Sequence, residues 1–132
     1  MHVYFCVHSI LNIGFWNIHG FSEHKRDDDL INNLSSKYDI IGFTETMLSD
    51  SPRGLPGYLS PFIVGSKKQE KKGRKSGGIL AYVKPYLRKG ITEVKHSNFS
   101  IWLKLDHNTL GLKRKIYLGF CYTTPYKKKR HI

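Results

Sequence analysis

Asn17 and Glu45 each stand where an apolar run gives out, in Phe15-Trp16-Asn17-Ile18-His19-Gly20 and in Asp39-Ile40-Ile41-Gly42-Phe43-Thr44-Glu45-Thr46. An amide oxygen and a carboxylate suit a hard divalent cation such as Mg²⁺, which takes oxygen ligands and is commonly held by one or two carboxylates plus substrate phosphates. A cation there would stabilise charge on a phosphate or activate a water molecule. A plainer reading of the same spacing lets Glu45 cap a loop and Asn17 satisfy backbone groups at a strand end, because buried polar groups need partners in any protein. On spacing alone the plainer reading leads.

The elements that must position this pair are legible around it. Ile10 to Ile18 reads as a strand buried on both faces, as strands inside parallel sheets are. Gly20 closes it and Ser22 caps a helix. Asp27, Asp28 and Asp29 lie in its early turns, where the helix dipole favours negative charge. Leu30, Ile31 and Leu34 give that helix one apolar stripe. Ile40 to Phe43 is a second apolar strand. Strand, helix and strand form a βαβ unit with parallel strands. Ligand sites of open α/β sheets lie beyond the carboxyl ends of such strands, where Asn17 and Glu45 fall.

Further along, Ser51-Pro52-Arg53-Gly54 and Leu55-Pro56-Gly57 punctuate a loop. Tyr58 to Gly65, Ile79 to Lys84, Ile91 to Lys95, Ser100 to Asp106 and Lys115 to Tyr122 read as strands, with a turn at His107 to Gly111. Ile101, Leu103 and Leu105 alternate onto one face. One parallel unit followed by hairpin-like strands points to an α/β protein with a mixed sheet.

With 132 residues the chain is long enough for one compact domain, and its 39% hydrophobic content argues for a packed core. Residues 1–9 are set apart as a leader, residues 10–125 as the domain and residues 126–132 as a basic tail. The apolar stretch from Val3 to Trp16 is interrupted by His2, His8, Ser9 and Asn12 around and within it. It is too short and polar to span a bilayer and lacks the features of a signal peptide. Cys6 and Cys121 make no disulfide framework, and both are expected reduced, in an intracellular setting, nuclear or cytoplasmic.

The formal charge of +12 favours a polyanionic partner, nucleic acid before others. The low-complexity segment from Ser66 to Gly78 carries Lys67, Lys68, Lys71, Lys72, Arg74 and Lys75 against Glu70, and these six are the candidate phosphate contacts. A solvated, mobile surface loop is the alternative for the same residues. Lys127-Lys128-Lys129-Arg130 has the composition of a nuclear-import patch. Aromatics do not interleave with either run, which argues against a stacking platform for single strands.

Six segments in order carry a resemblance: Trp16-Asn17-Ile18-His19-Gly20, Asp39 to Thr46, Leu55-Pro56-Gly57-Tyr58, Ser76 to Lys84, Ile101-Trp102-Leu103-Lys104-Leu105, and Tyr117-Leu118-Gly119-Phe120-Cys121-Tyr122-Thr123-Thr124-Pro125. Together they resemble the amino-terminal half of the endonuclease/exonuclease/phosphatase superfamily, and within it the apurinic-type endonucleases of non-LTR retrotransposons. The resemblance runs from about Ile10 to Pro125; no single segment is specific, but their order is. It implies a partial four-layer α/β sandwich with its carboxy-terminal half missing, acting on DNA with Mg²⁺, or Mn²⁺ in its place. Glu45 would be the metal-ligand carboxylate, Asn17 would join the metal and phosphate site, and Tyr122 would contact the scissile phosphate, with Tyr126 its rival.

His19 departs from the pattern, standing where relatives often carry Asp or Asn. The family's later Gly-Asp-Phe-Asn-like and Ser-Asp-His-like segments, which supply the proton-handling acid and the Asp-His pair, have no counterpart. The expectation is therefore a Mg²⁺-dependent phosphodiesterase fragment, most similar to a retrotransposon DNA endonuclease and impaired as this chain. A phospholipid or inositol-phosphate phosphodiesterase of the same superfamily and a non-catalytic basic nucleic-acid-binding module are the alternatives. Half of such a sandwich would also leave its inner sheet face uncovered, so self-association is expected.

Overall fold

The computed structural model describes residues 2–5, 9–48, 54–65, 67–68 and 75–123. Strand β1 (His2–Phe5) pairs antiparallel with β2 (Ser9–Asn17), so this part of the expected leader is the edge strand of the main sheet. The crossover that follows is two short helices, α1 (Glu23–Arg26) and α2 (Asp29–Ser35), rather than one. Each has its own cap: Ser22 Oγ accepts from the Lys25 amide and Asp28 Oδ1 from the Ile31 amide, both at 3.2 Å. The Asp27-Asp28-Asp29 run explains the break, because Asp side chains compete for backbone amides and start a new helix rather than continue an old one.

Strand β3 (Ile40–Thr44) then lies parallel to β2, with Ile13 opposite Ile40 and Asn17 opposite Thr44. Strand β4 (Phe62–Val64) is shorter than the apolar run around it, and β5 (Lys67–Lys68) pairs with β6 (Lys75–Ser76) as a small antiparallel ladder within the basic segment. Lys71, Lys72 and Arg74 lie outside the described residues. Strand β7 (Ile79–Val83) pairs antiparallel with both β3 and β4, giving a five-stranded mixed sheet in the order β1-β2-β3-β7-β4.

A 3₁₀ segment over Pro85–Gly90 leads to β8 (Ile91–Ser97), β9 (Ser100–Leu105) and β10 (Ile116–Cys121), a three-stranded antiparallel sheet in the order β10-β9-β8. The turn expected at His107 to Gly111 is a single helical turn, α3 (His107–Leu110), capped by Asp106 accepting from the Thr109 amide at 2.9 Å. The chain is thus a sheet-rich α/β protein.

Two buried clusters hold it together. Leu11, Ile13, Ile40, Ile79 and Val83 of the main sheet share one cluster with Ile101, Leu103, Leu105 and Phe120 of the small sheet. The inner face expected to be bare is therefore covered by the chain's own β8–β10 layer. Phe15, 49% exposed, marks the rim of that cover and stacks on Phe120 at 5.7 Å. Phe120 can reach the main sheet because Gly42 is beneath it: a Cβ there would come within 2.5 Å of the ring. On the opposite face, Ile41, Phe43, Leu80 and Tyr82 pack with Phe21, Leu55 and Ile31. Each fully buried aliphatic or aromatic side chain contributes about 1.5–3 kcal/mol.

Candidate functional site

Parallel pairing delivers the first two residues. Asn17 is the last residue of β2, and Glu45 immediately follows β3. The ladder continues past the strand ends: the Ile18 amide donates to Thr44 O at 3.0 Å, Gly20 to Glu45 O at 2.7 Å and Phe21 to Thr46 O at 2.8 Å. This stitching holds the two loops side by side, and the Asn17 side-chain amide donates directly to the Glu45 carboxylate. Asn17 Oδ1 accepts from the His19 backbone amide at 3.2 Å. Hence His19 acts through its backbone in fixing Asn17, while its imidazole is exposed.

Tyr122, from a distant part of the sequence, arrives at the same rim. Its amide donates to Phe99 O at 3.0 Å, and its hydroxyl reaches Asn98 O at 3.3 Å. Burial pushes the Tyr122 phenol above its ordinary value, the Gly78 amide pulls it back, and the Glu45 carboxylate raises it again. The phenol therefore stays protonated at neutral pH and can donate to a phosphate oxygen. Gly77 and Gly78, at φ 81° and 99°, make room: any Cβ at Gly77 would collide with the Tyr122 hydroxyl, and one at Gly78 with Thr46 Oγ1. Left-handed backbone is open to glycine without the cost other residues bear. Tyr126, the rival tyrosine, lies outside the described residues.

Among the described residues, the non-glycine positions with positive φ are His19 at 49°, Glu45 at 54° and Met47 at 63°. All three flank this rim. Such conformations cost of order 1–3 kcal/mol each and collect where a site must hold an awkward geometry. Two further contributors carry no motif that sequence reading could single out. Lys25, on α1, donates its ammonium to Ile18 O at 2.6 Å and His19 O at 3.1 Å, pinning the turn that follows Asn17. Thr46 is buried and accepts from the Leu48 amide at 3.4 Å. Lys25, His19, Ser22 and Met47 line a shallow depression of about 350 Å³ beside the rim.

Other polar and basic residues settle elsewhere. Lys84 is a packing residue, with its ammonium 4.8 Å above the Tyr58 ring and 3.4 Å from Ser36 O. Lys67, Lys68 and Lys75 stand on the β5–β6 ladder that precedes Gly77 and β7. Cys121 is a free, exposed thiol, and Cys6 lies outside the described residues.

For a divalent cation the donors are one carboxylate, Glu45, and one amide, Asn17. No group of three or more His, Cys, Asp or Glu side chains comes together among the described residues. That set is too sparse for an all-protein cage, and it fits Mg²⁺ only in the mode where substrate phosphates and water complete the shell. No helix among the described residues is long and apolar enough to cross a membrane. No protein-family model matches the chain, and no curated protein and no solved structure matches it.

Proposed function

We propose that the chain carries part of a Mg²⁺-dependent phosphodiesterase of the endonuclease/exonuclease/phosphatase type, acting on DNA in the manner of retrotransposon endonucleases. Its two packed sheets are then the interior layers of a four-layer α/β sandwich. The observation that carries the reading is the meeting of Asn17, Glu45 and Tyr122 at one rim, from three separate parts of the sequence.

In this reading Glu45, with Asn17 beside it and the substrate phosphate, would hold the cation, which would supply charge stabilisation on the phosphate. Asn17 orients the Glu45 carboxylate through its side-chain amide. The neutral Tyr122 phenol donates a hydrogen bond to a phosphate oxygen. Lys67, Lys68, Lys71, Lys72, Arg74 and Lys75 lie in the segment before Gly77 and would engage flanking phosphates.

No general base accompanies these groups among the described residues, and proton transfer by a positioned side chain is typically worth 10²–10⁴-fold. The chain by itself is accordingly expected to cleave slowly. A non-catalytic nucleic-acid-binding module is the second reading, favoured by the same sparse donor set. Supercoiled plasmid incubated with the chain and Mg²⁺ separates them. The enzyme reading expects weak nicking that Glu45→Ala abolishes, with gel retention of DNA unchanged. Equal nicking by the variant would remove Glu45 from the chemistry, and retention without nicking by the unaltered chain would favour the binding module.

A further inference from the structure

Two successive peptide groups lead away from Asn17, and both turn their carbonyls toward one side chain. The peptide between Ile18 and His19 sends its N–H to Asn17 Oδ1 at 3.2 Å and its carbonyl to the Lys25 ammonium at 2.6 Å. The next peptide, between His19 and Gly20, sends its N–H to the backbone carbonyl of Glu45 at 2.7 Å and its carbonyl to the same ammonium at 3.1 Å. A trans peptide is a rigid plane whose N–H and carbonyl point in opposite directions, so fixing the carbonyl aims the N–H. Lys25 therefore aims both donors at the two residues of the rim.

The turn needs such a holder. His19 has φ 49° and Gly20 φ 92°, and the left-handed region is costly for a residue with a Cβ. An ammonium offers three donors and no acceptor, and its bonds to carbonyls are charge-assisted, stronger than neutral ones. A cation on a peptide carbonyl also polarises the whole group and makes its N–H a better donor. Lys25 is itself placed by Ser22, whose Oγ accepts from the Lys25 backbone amide at 3.2 Å, and its side chain is half-buried.

The consequence reaches the site through Asn17. With Oδ1 taken by the His19 N–H, Nδ2 faces the Glu45 carboxylate and donates to it. An amide turned the other way would set its oxygen against the carboxylate. From these contacts we infer that Lys25 is the positioning residue of the rim: one ammonium holds two carbonyls and so sets the two N–H groups that fix the Asn17 side chain and the Glu45 backbone. This role rests on the reading of the rim as a cation site, and Lys25 touches neither cation nor phosphate in it.

Amide hydrogen exchange on the whole, metal-free chain reads the aim directly in Lys25→Met, which keeps the apolar stem and removes the ammonium. The His19 and Gly20 amides should exchange about 10- to 100-fold faster, the worth of a lost charge-assisted bond. Those of Ile18 and Phe21, bonded to Thr44 O and Thr46 O, should keep their rates. Lys25→Arg, whose guanidinium also has donors for two carbonyls, should restore slow exchange. Unchanged exchange at His19 and Gly20 would overturn the role, and so would an equal rise at all four amides, which marks a general support of the fold. Mn²⁺ titration followed by electron paramagnetic resonance supplies the second readout. Its dissociation constant should rise about 10- to 100-fold in Lys25→Met, as for other residues that orient a metal ligand, and recover in Lys25→Arg. Equal Mn²⁺ affinity in Lys25→Met and the unaltered chain would overturn the positioning role and leave the cation site standing. An unaltered chain that binds no Mn²⁺ would overturn the cation site itself, and the role of Lys25 with it.

Discussion

Glu45 holds a backbone conformation that suits glycine better than a carboxylate-bearing residue. Its φ of 54° places it in the left-handed region, with Gly20 donating to its carbonyl and Asn17 to its side chain. A backbone outlier of this kind is a ground for the proposal that the Glu45 side chain serves the site. This separates stability from chemistry. Glu45→Gly and Glu45→Ala both remove the carboxylate, but glycine takes positive φ freely and alanine does not. Glu45→Gly should therefore be more stable than Glu45→Ala by about 1 kcal/mol, read from midpoints in urea, while both lose Mg²⁺-dependent nicking. Equal stability would mean that the conformation is not strained. Residue types and local spacing sufficed to single out Asn17 and Glu45. Lys25 was not legible in that way, because a lysine on a short helix carries no sign that it will reach back to two carbonyls.

Elements meet through a few directional contacts, and Tyr58 is the clearest of them. Its hydroxyl donates to Tyr38 O at 2.6 Å and also to Ser35 O, tying the Gly- and Pro-containing loop to the carboxyl end of α2. Burial, and then the nearby Asp39 charge, hold this phenol well above its ordinary value of 10.0. The folded chain thus keeps the Tyr58 proton at a pH where the unfolded chain releases it. The resulting stability is fully present below pH 10 and is lost as pH rises beyond that value toward the raised one. Urea melts at increasing alkaline pH should show this decline, and Tyr58→Phe, which has no proton to lose, should show a shallower one. An identical decline in the variant would assign it to other groups. Strand positions were readable from their apolar runs. The split between α1 and α2 was not, because the Asp27-Asp28-Asp29 run supports an early helical turn and a new cap equally well until Asp28 is seen bonding the Ile31 amide.

For the whole molecule, a charge of +12 on 132 residues sets how it meets a polyanion. If about five phosphates are neutralised on duplex DNA, log K should fall with log salt at a slope near −4.5; a flat titration would eliminate the phosphate role of the basic segment. Self-association through a bare inner face loses its basis, because β8–β10 cover that face. Equilibrium sedimentation therefore should find a species that stays monomeric as concentration rises. By itself the sequence did not show β1 or the β5–β6 ladder, but it determined most of the periodicities: the apolar strand runs other than β1, the parallel course of β2 and β3, and hence that Asn17 and Glu45 leave the sheet at the same edge. These follow from local burial and from the short reach of a single crossover. Only the tertiary structure decided that the small sheet folds over the large one, that Phe120 seats on Gly42, and that Tyr122 joins the rim over Gly77. Such contacts join residues far apart in the chain, and they depend on register and on the space that a missing side chain leaves, which no local pattern records.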